Sequence, residues 1–253
     1  MHKATAHLPV WKDPDIDWDK AFEEFLAENK TLAYMMLKNA KVYKDAGILT
    51  QKNIMGEWET LSWNEFADRF TAVAKVLIDM GIGAGDMCSV FARNCSEWAI
   101  SDMGILATRA VSVPIYATNS KEEAEYIIND AEVKVVFVGD QDQYDRAAEI
   151  IADNTFLKFI VAMQDNIKIS GDKSMYLSQM IEKGRQLKND KEFEERINNV
   201  DPDDIVTIIY TSGTTGNPKG AVHTHRSFLN GIFPAWRYPE AGPHYISLSI
   251  LPL

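Results

Sequence analysis

Three features of the sequence predict an α/β fold, a mainly parallel sheet flanked by helices on both faces. Apolar runs of strand length alternate with helical patterns from about residue 62 to residue 210. The runs are apolar throughout instead of alternating with polar residues, as MCSVFA (87–92), VKVVFVG (133–139) and DDIVTIIY (203–210) show. Strands of that kind are buried on both faces, the condition of a covered parallel sheet. Helix boundaries are also written in the sequence: Ser62 with Glu65 and Ser120 with Glu123 form S-x-x-E capping boxes.

Taken in order, the first twenty residues hold two prolines and two tryptophans and read as an irregular arm. Residues 17–47 are helical, with a break near Asn29–Thr31. GILTQK (47–52) and EWETLSW (57–63) form a hairpin around a turn at Asn53–Gly56. Behind Ser62, residues Phe66, Phe70, Val73 and Leu77 recur at helical spacing, and Gly81 is a natural stop just past the helix. MCSVFA is a strand, NCSEWAISDMGILAT (94–108) a helix and AVSVPIY (110–116) another strand. KEEAEYIINDA (121–131) is a helix, VKVVFVG a strand rich in β-branched residues, QDQYDRAAEIIADN (141–154) a helix and FLKFIVAM (156–163) a strand. Residues 175–199 are one or two polar helices, and DDIVTIIY runs straight into YTSGTTGNPKG (210–220). Two units follow: an arm and first helix over 1–30, and the α/β domain over 31–253.

Composition limits the function classes. With 46% hydrophobic and 25% charged residues the profile is that of a globular protein. A formal net charge of -11 argues against nucleic acid as a partner, because phosphate contacts need a basic face. Cys88 and Cys95 match neither a redox motif nor a zinc pattern and read as buried or half-buried thiols. The N-terminal stretch has no apolar core of a secretory signal, and no run approaches a membrane span of about 18 residues, so a cytoplasmic protein without a transmembrane segment is expected.

The loop at 210–220 carries the chemistry. It leaves the end of a buried strand, where ligands of open α/β sheets bind. Gly213 and Gly216 admit close approach to the main chain, whose amides can form a concavity for an anion. Thr211, Ser212, Thr214 and Thr215 add four hydroxyls and Lys219 a cation, a donor set suited to a polyphosphate. It is not a Walker A loop: Pro218 stands where glycine would precede the lysine, and GAVHTH (220–225) is β-like, not a helix start. A surface turn rich in Ser, Thr and Gly is the plain structural alternative. GIGAGD (81–86) follows a helix and enters a strand, so it is a turn and not a dinucleotide fingerprint. His223 and His225 share one face of the expected strand but lack a third ligand nearby, so no metal site is assigned. DPDD (201–204) reads as a turn capping the strand entry, and Trp236, Tyr238 and Tyr245 as core or surface cover, with the lining of a pocket as the alternative.

IIYTSGTTGNPKGAVHTH (208–225) resembles the phosphate loop of the AMP-forming acyl-CoA synthetases, and the stretch from Thr60 to Asp140 is similar to that family's upstream region. Within it, SVPIYATNSKEEAEYIIND (112–130) and SLSILPL (247–253) look most like the long-chain fatty acid CoA ligases. The resemblance implies that a fatty acid carboxylate attacks the α-phosphate of Mg-ATP, and that coenzyme A then displaces AMP. ATP, Mg2+, coenzyme A and a fatty acid are the implied ligands, with peripheral membrane contact of the parent protein compatible. Thr211, Ser212, Gly213, Thr214, Thr215, Gly216 and Lys219 would hold the β- and γ-phosphates. His225 would be structural or stand near the acyl-site wall. The family's adenine and ribose motifs are not found in these residues, so the chain is expected to be an N-terminal portion that does not turn over alone. An exposed apolar edge near its end is expected to cause self-association or a disordered tail after about Gly231. A non-catalytic phosphate-binding or interaction module, or an adenylating enzyme for another carboxylic acid, are the alternatives.

Overall fold

The computed structural model describes residues 17–53, 55–211, 217–236, 247 and 249. Helices α1 (Trp18–Asn29) and α2 (Leu32–Tyr43) come first, broken at the expected place. Thr31 begins the second helix by accepting from the Tyr34 amide at 3.2 Å. Strands β1 (Gly47–Lys52) and β2 (Trp58–Ser62) pair antiparallel, and the Asn53 side chain accepts from the amides of Met55 and Glu57 to shape the turn. Ser62 then caps α3 (Trp63–Asp79): both reciprocal bonds of its box with Glu65 are made, and Gly81 follows at φ 82°.

From there strand and helix alternate as β3 (Met87–Ala92), α4 (Ser96–Ala107), β4 (Val111–Ser112), β5 (Ile115–Tyr116), α5 (Lys121–Asp130), β6 (Val135–Val138), α6 (Gln141–Asp153) and β7 (Phe159–Ala162). Next come β8 (Ser174–Tyr176), α7 (Leu177–Gln186), α8 (Asp190–Asn198), β9 (Ile205–Thr211), β10 (Lys219–Thr224) and α9 (His225–Trp236). The main sheet runs β10-β9-β4-β3-β6-β7-β8, with β5 also paired to β3. Each of these pairings is parallel except β10 with β9.

Two details depart from expectation. AVSVPIY makes two short strands, because Pro114 has no amide to continue a ladder; β4 and β5 pair with opposite ends of β3. Strand β8 joins the sheet from a polar stretch that carries no strand pattern, recruited by pairing of Ile160, Val161 and Ala162 with residues 174–176.

Burial on both faces shows in the alternation of side chains. Val135 and Phe137 of β6 enter one core with α3, α4 and α7, whereas Val136 and Val138 enter another with Ile127 of α5 and Ile150 of α6. Cys88 is buried in the first core, where loss of water, aided by nearby Asp86, pushes its thiol up to about 12; Cys95 is half-buried and caps α4. Among the described residues no helix is long and apolar enough to cross a membrane.

Candidate functional site

Strands β9 and β10 form a hairpin at the sheet edge, with Thr211 opposite Lys219, Gly220 opposite Tyr210 and Ala221 opposite Ile209. Because β9 runs parallel to β4 and β3, Thr211 lies at the carboxyl end of the sheet, where the α/β rule expects ligands. Thr211 and Lys219 are both exposed, one on each side of the connection. Ser212, Gly213, Thr214, Thr215 and Gly216 lie outside the described residues.

The hairpin stem is fixed from its flank. The Tyr210 hydroxyl donates to Asp130 Oδ2 at 2.6 Å, and the Tyr126 ring meets Tyr210 edge-on with centroids 6.5 Å apart. Burial and the Asp130 carboxylate push the Tyr210 phenol well up, so it remains a donor. Gly220 lets β10 close onto β9: a Cβ there would stand 2.6 Å from Ile208 Cγ2 and 3.2 Å from the Tyr210 ring.

Polar side chains fasten the base. In the 201–204 turn the Asp204 amide donates to the Asp201 carbonyl, as a strand-capping turn should. Asp204 also receives Arg109 Nη2 at 2.8 Å, and its carbonyl accepts from the His225 amide at 3.1 Å. Arg226 reaches both Asp203 (2.9 Å) and Glu23 of α1 (2.6 Å). His223 stays in β10 but His225 opens α9, so the two imidazoles do not share a strand face. His225 is buried there; loss of water pushes its imidazole down to about 4, with Arg109 adding to the effect and Asp204 opposing it.

A cleft of about 390 Å³ opens at the same rim, beyond the ends of β3 and β5. Arg93, Asn94, Tyr116 and Thr118 line it, and Asn94 Nδ2 donates to Ser249 Oγ at 3.1 Å. These residues escaped the sequence reading. The available signal was position, since Tyr116 closes an apolar run at the rim and Arg93, Asn94 and Thr118 lie within two residues after such a run.

The site is thus a strand-to-strand hairpin at the carboxyl rim of a covered α/β sheet, with a Ser/Thr/Gly-rich connection ending in lysine. The chain belongs to the AMP-binding enzyme family, whose model matches residues 36–253. It is similar to a long-chain-fatty-acid–CoA ligase, FadD15, of Mycobacterium bovis, 32% identical over 213 residues, covering 84% of this chain and 34% of that protein. Human long-chain-fatty-acid–CoA ligase 1 is 29% identical over 230 residues, covering 85% and 32% respectively. The chain thus spans about a third of the length of the curated relatives it matches. Among solved structures, the luciferase-like enzyme of the mealworm Zophobas morio superposes with TM-score 0.68 at 19% identity, covering 81% of this chain and 45% of that one. The anthranilate CoA ligase AuaEII in complex with anthranoyl-AMP gives 0.63 at 20% identity, covering 78% and 35%. At such identities the likeness establishes the fold.

Proposed function

We propose that this chain is the N-terminal portion of a long-chain fatty acid CoA ligase, and that its β9–β10 connection holds the β- and γ-phosphates of ATP. The observation that carries the reading is the pairing of Thr211 with Lys219, two exposed residues that set a hydroxyl and an ammonium group at the two ends of the β9–β10 connection at the carboxyl rim. By sequence the connection adds the hydroxyls of Ser212, Thr214 and Thr215 and the two glycines Gly213 and Gly216. That donor set fits a polyphosphate carrying Mg2+, which would neutralise charge between its oxygens.

In the whole protein a fatty acid carboxylate attacks the α-phosphate and pyrophosphate departs; the thiol of coenzyme A then displaces AMP from the acyl-adenylate. The part of these residues is to orient the triphosphate and to balance the charge that develops on the leaving pyrophosphate. Lys219 supplies the cation and Thr211 a hydroxyl donor. The 30% range of identity to fatty acid ligases supports the acyl substrate class.

Calorimetric titration with Mg-pyrophosphate tests the reading. The chain is expected to bind it, and Lys219→Ala to weaken binding by about tenfold, the effect of losing one charge-assisted contact. In the whole protein the same substitution is expected to slow palmitate-dependent pyrophosphate release by about a hundredfold. Binding that is unchanged in Lys219→Ala would remove the loop from the proposal.

A further inference from the structure

A second cavity, of about 180 Å³, lies between one face of α4 and the sheet. Trp98, Asp102 and Leu106 line it from α4, spaced one helical turn apart. Ser112 and Thr207, register partners on β4 and β9, line it from the sheet, and Phe228 of α9 lines it from the side. Apolar groups make up most of this wall. No lysine, arginine or histidine is among the described residues that line it. Its other ionisable groups are Tyr116 and Tyr210, the latter already bonded to Asp130.

A carboxyl group in such a wall is costly, because its lost hydration must be replaced by hydrogen bonds. Asp102 is only 9% exposed and has no ion-pair partner among the described residues. Burial pushes its carboxyl up to about 6, against a smaller opposing effect of the Ser112 hydroxyl. An apolar chamber with a few convergent polar groups is the usual form of a small-molecule site. Cavities of roughly 150 Å³ elsewhere accept benzene, so this one has room for about eight heavy atoms.

We propose that the cavity binds a small neutral amphiphile, an apolar ring or short chain bearing one hydroxyl group, with the hydroxyl bonded to Asp102 and the apolar part against Trp98, Leu106 and Phe228. A hydroxyl suits Asp102 in either protonation state, since it donates to a carboxylate and accepts from a carboxylic acid. An anion would meet the carboxylate without a compensating cation. A cation would bring a second charge into an apolar wall, where its desolvation offsets the attraction. The site stands independently of the nucleotide reading.

Calorimetry and saturation-transfer NMR on the 253-residue chain test it, with benzyl alcohol, toluene and benzoate as probes. Benzyl alcohol is expected to bind with Kd of about 1 mM or tighter, at least about tenfold better than toluene, with benzoate weaker still near neutral pH. Asp102→Leu should bring alcohol and toluene to about equal affinity. Asp102→Asn, of nearly the same size, should keep the alcohol while raising benzoate affinity at least about threefold, because the repelling charge is gone. Thr207→Phe, which fills the chamber, should abolish all three, and thermal melts establish that each variant folds. Should Asp102→Leu not fold, the Asn variant decides: unchanged benzoate affinity there overturns the proposal. So does failure of the wild-type chain to bind benzyl alcohol, equal affinity for the three probes, or benzyl alcohol binding that persists in a folded Thr207→Phe.

Discussion

Asp102 in α4 and His225 at the start of α9 are both buried ionisable side chains, and their titrations act on stability with opposite sign. The Asp102 carboxyl sits at about 6 when folded against 3.8 ordinarily, so the unfolded chain releases this proton first. Its contribution is fully present below the lower value and is lost as pH rises through the upper one. The His225 imidazole sits at about 4 against 6.5, so the unfolded chain takes up this proton first, and stability falls as pH drops between those values. In the wild-type chain the two effects partly cancel across the same window, so single variants are needed to see either. Asp102→Asn is expected to gain on the wild type between about pH 4 and pH 7, by up to about 3 kcal/mol in urea melts. His225→Gln is expected to lose less than the wild type on the acid side of that window. A difference between Asp102→Asn and wild type that does not vary with pH would contradict a buried carboxyl.

Helix packing depends on two small residues. Gly184 brings α7 against α3: a Cβ there would stand 2.1 Å from the Ala72 carbonyl oxygen, which is backbone and cannot turn aside. Gly104 brings α4 against the same helix, where a Cβ would stand 2.5 Å from Val73 Cγ1 and 2.8 Å from Val73 Cβ but 3.3 Å from the nearest backbone atom, a smaller overlap than at Gly184. Gly184→Ala is therefore expected to destabilise by about 1–3 kcal/mol or more, and Gly104→Ala by less, in thermal or urea melts of the two variants. The reverse order would mean that α7 is free to shift. At this scale the sequence was most readable. Caps at Ser62 and Ser120 and the strong run VKVVFVG are local signals, and the structure makes each of these bonds and pairings. Strand β8 was unreadable for the same reason: Ser174–Tyr176 becomes a strand only because β7 offers an edge.

Across the whole molecule, residues distant in sequence meet at the base of the hairpin. Arg109, in the loop before β4, reaches Asp204 in the turn before β9, while Arg226 of α9 joins that turn to Glu23 of α1. The Arg109–Asp204 pair is about one-third exposed, so solvent screens it. A double-mutant cycle with Arg109→Ala and Asp204→Ala is expected to give a coupling of about 1 kcal/mol or less, read from urea melts. A coupling of zero would leave the hairpin base held by the Arg226 contacts and by main-chain bonds.

The sequence by itself determined the alternation of strand and helix, the two-sided burial of the sheet and the identity of the loop residues, because periodicity, caps and apolar runs act over a few neighbours. GAVHTH reads as β-like in the sequence, but its antiparallel pairing with β9, which sets Lys219 opposite Thr211, is seen only in the structure. Only the tertiary structure decided that His225 leaves the strand to be buried beneath Asp204 and Arg109. The same holds for Asp102, which faces a chamber lined by β4, β9 and α9. Both depend on which distant elements pack together, and burial of a charge is set by those neighbours, not by the residue that carries it.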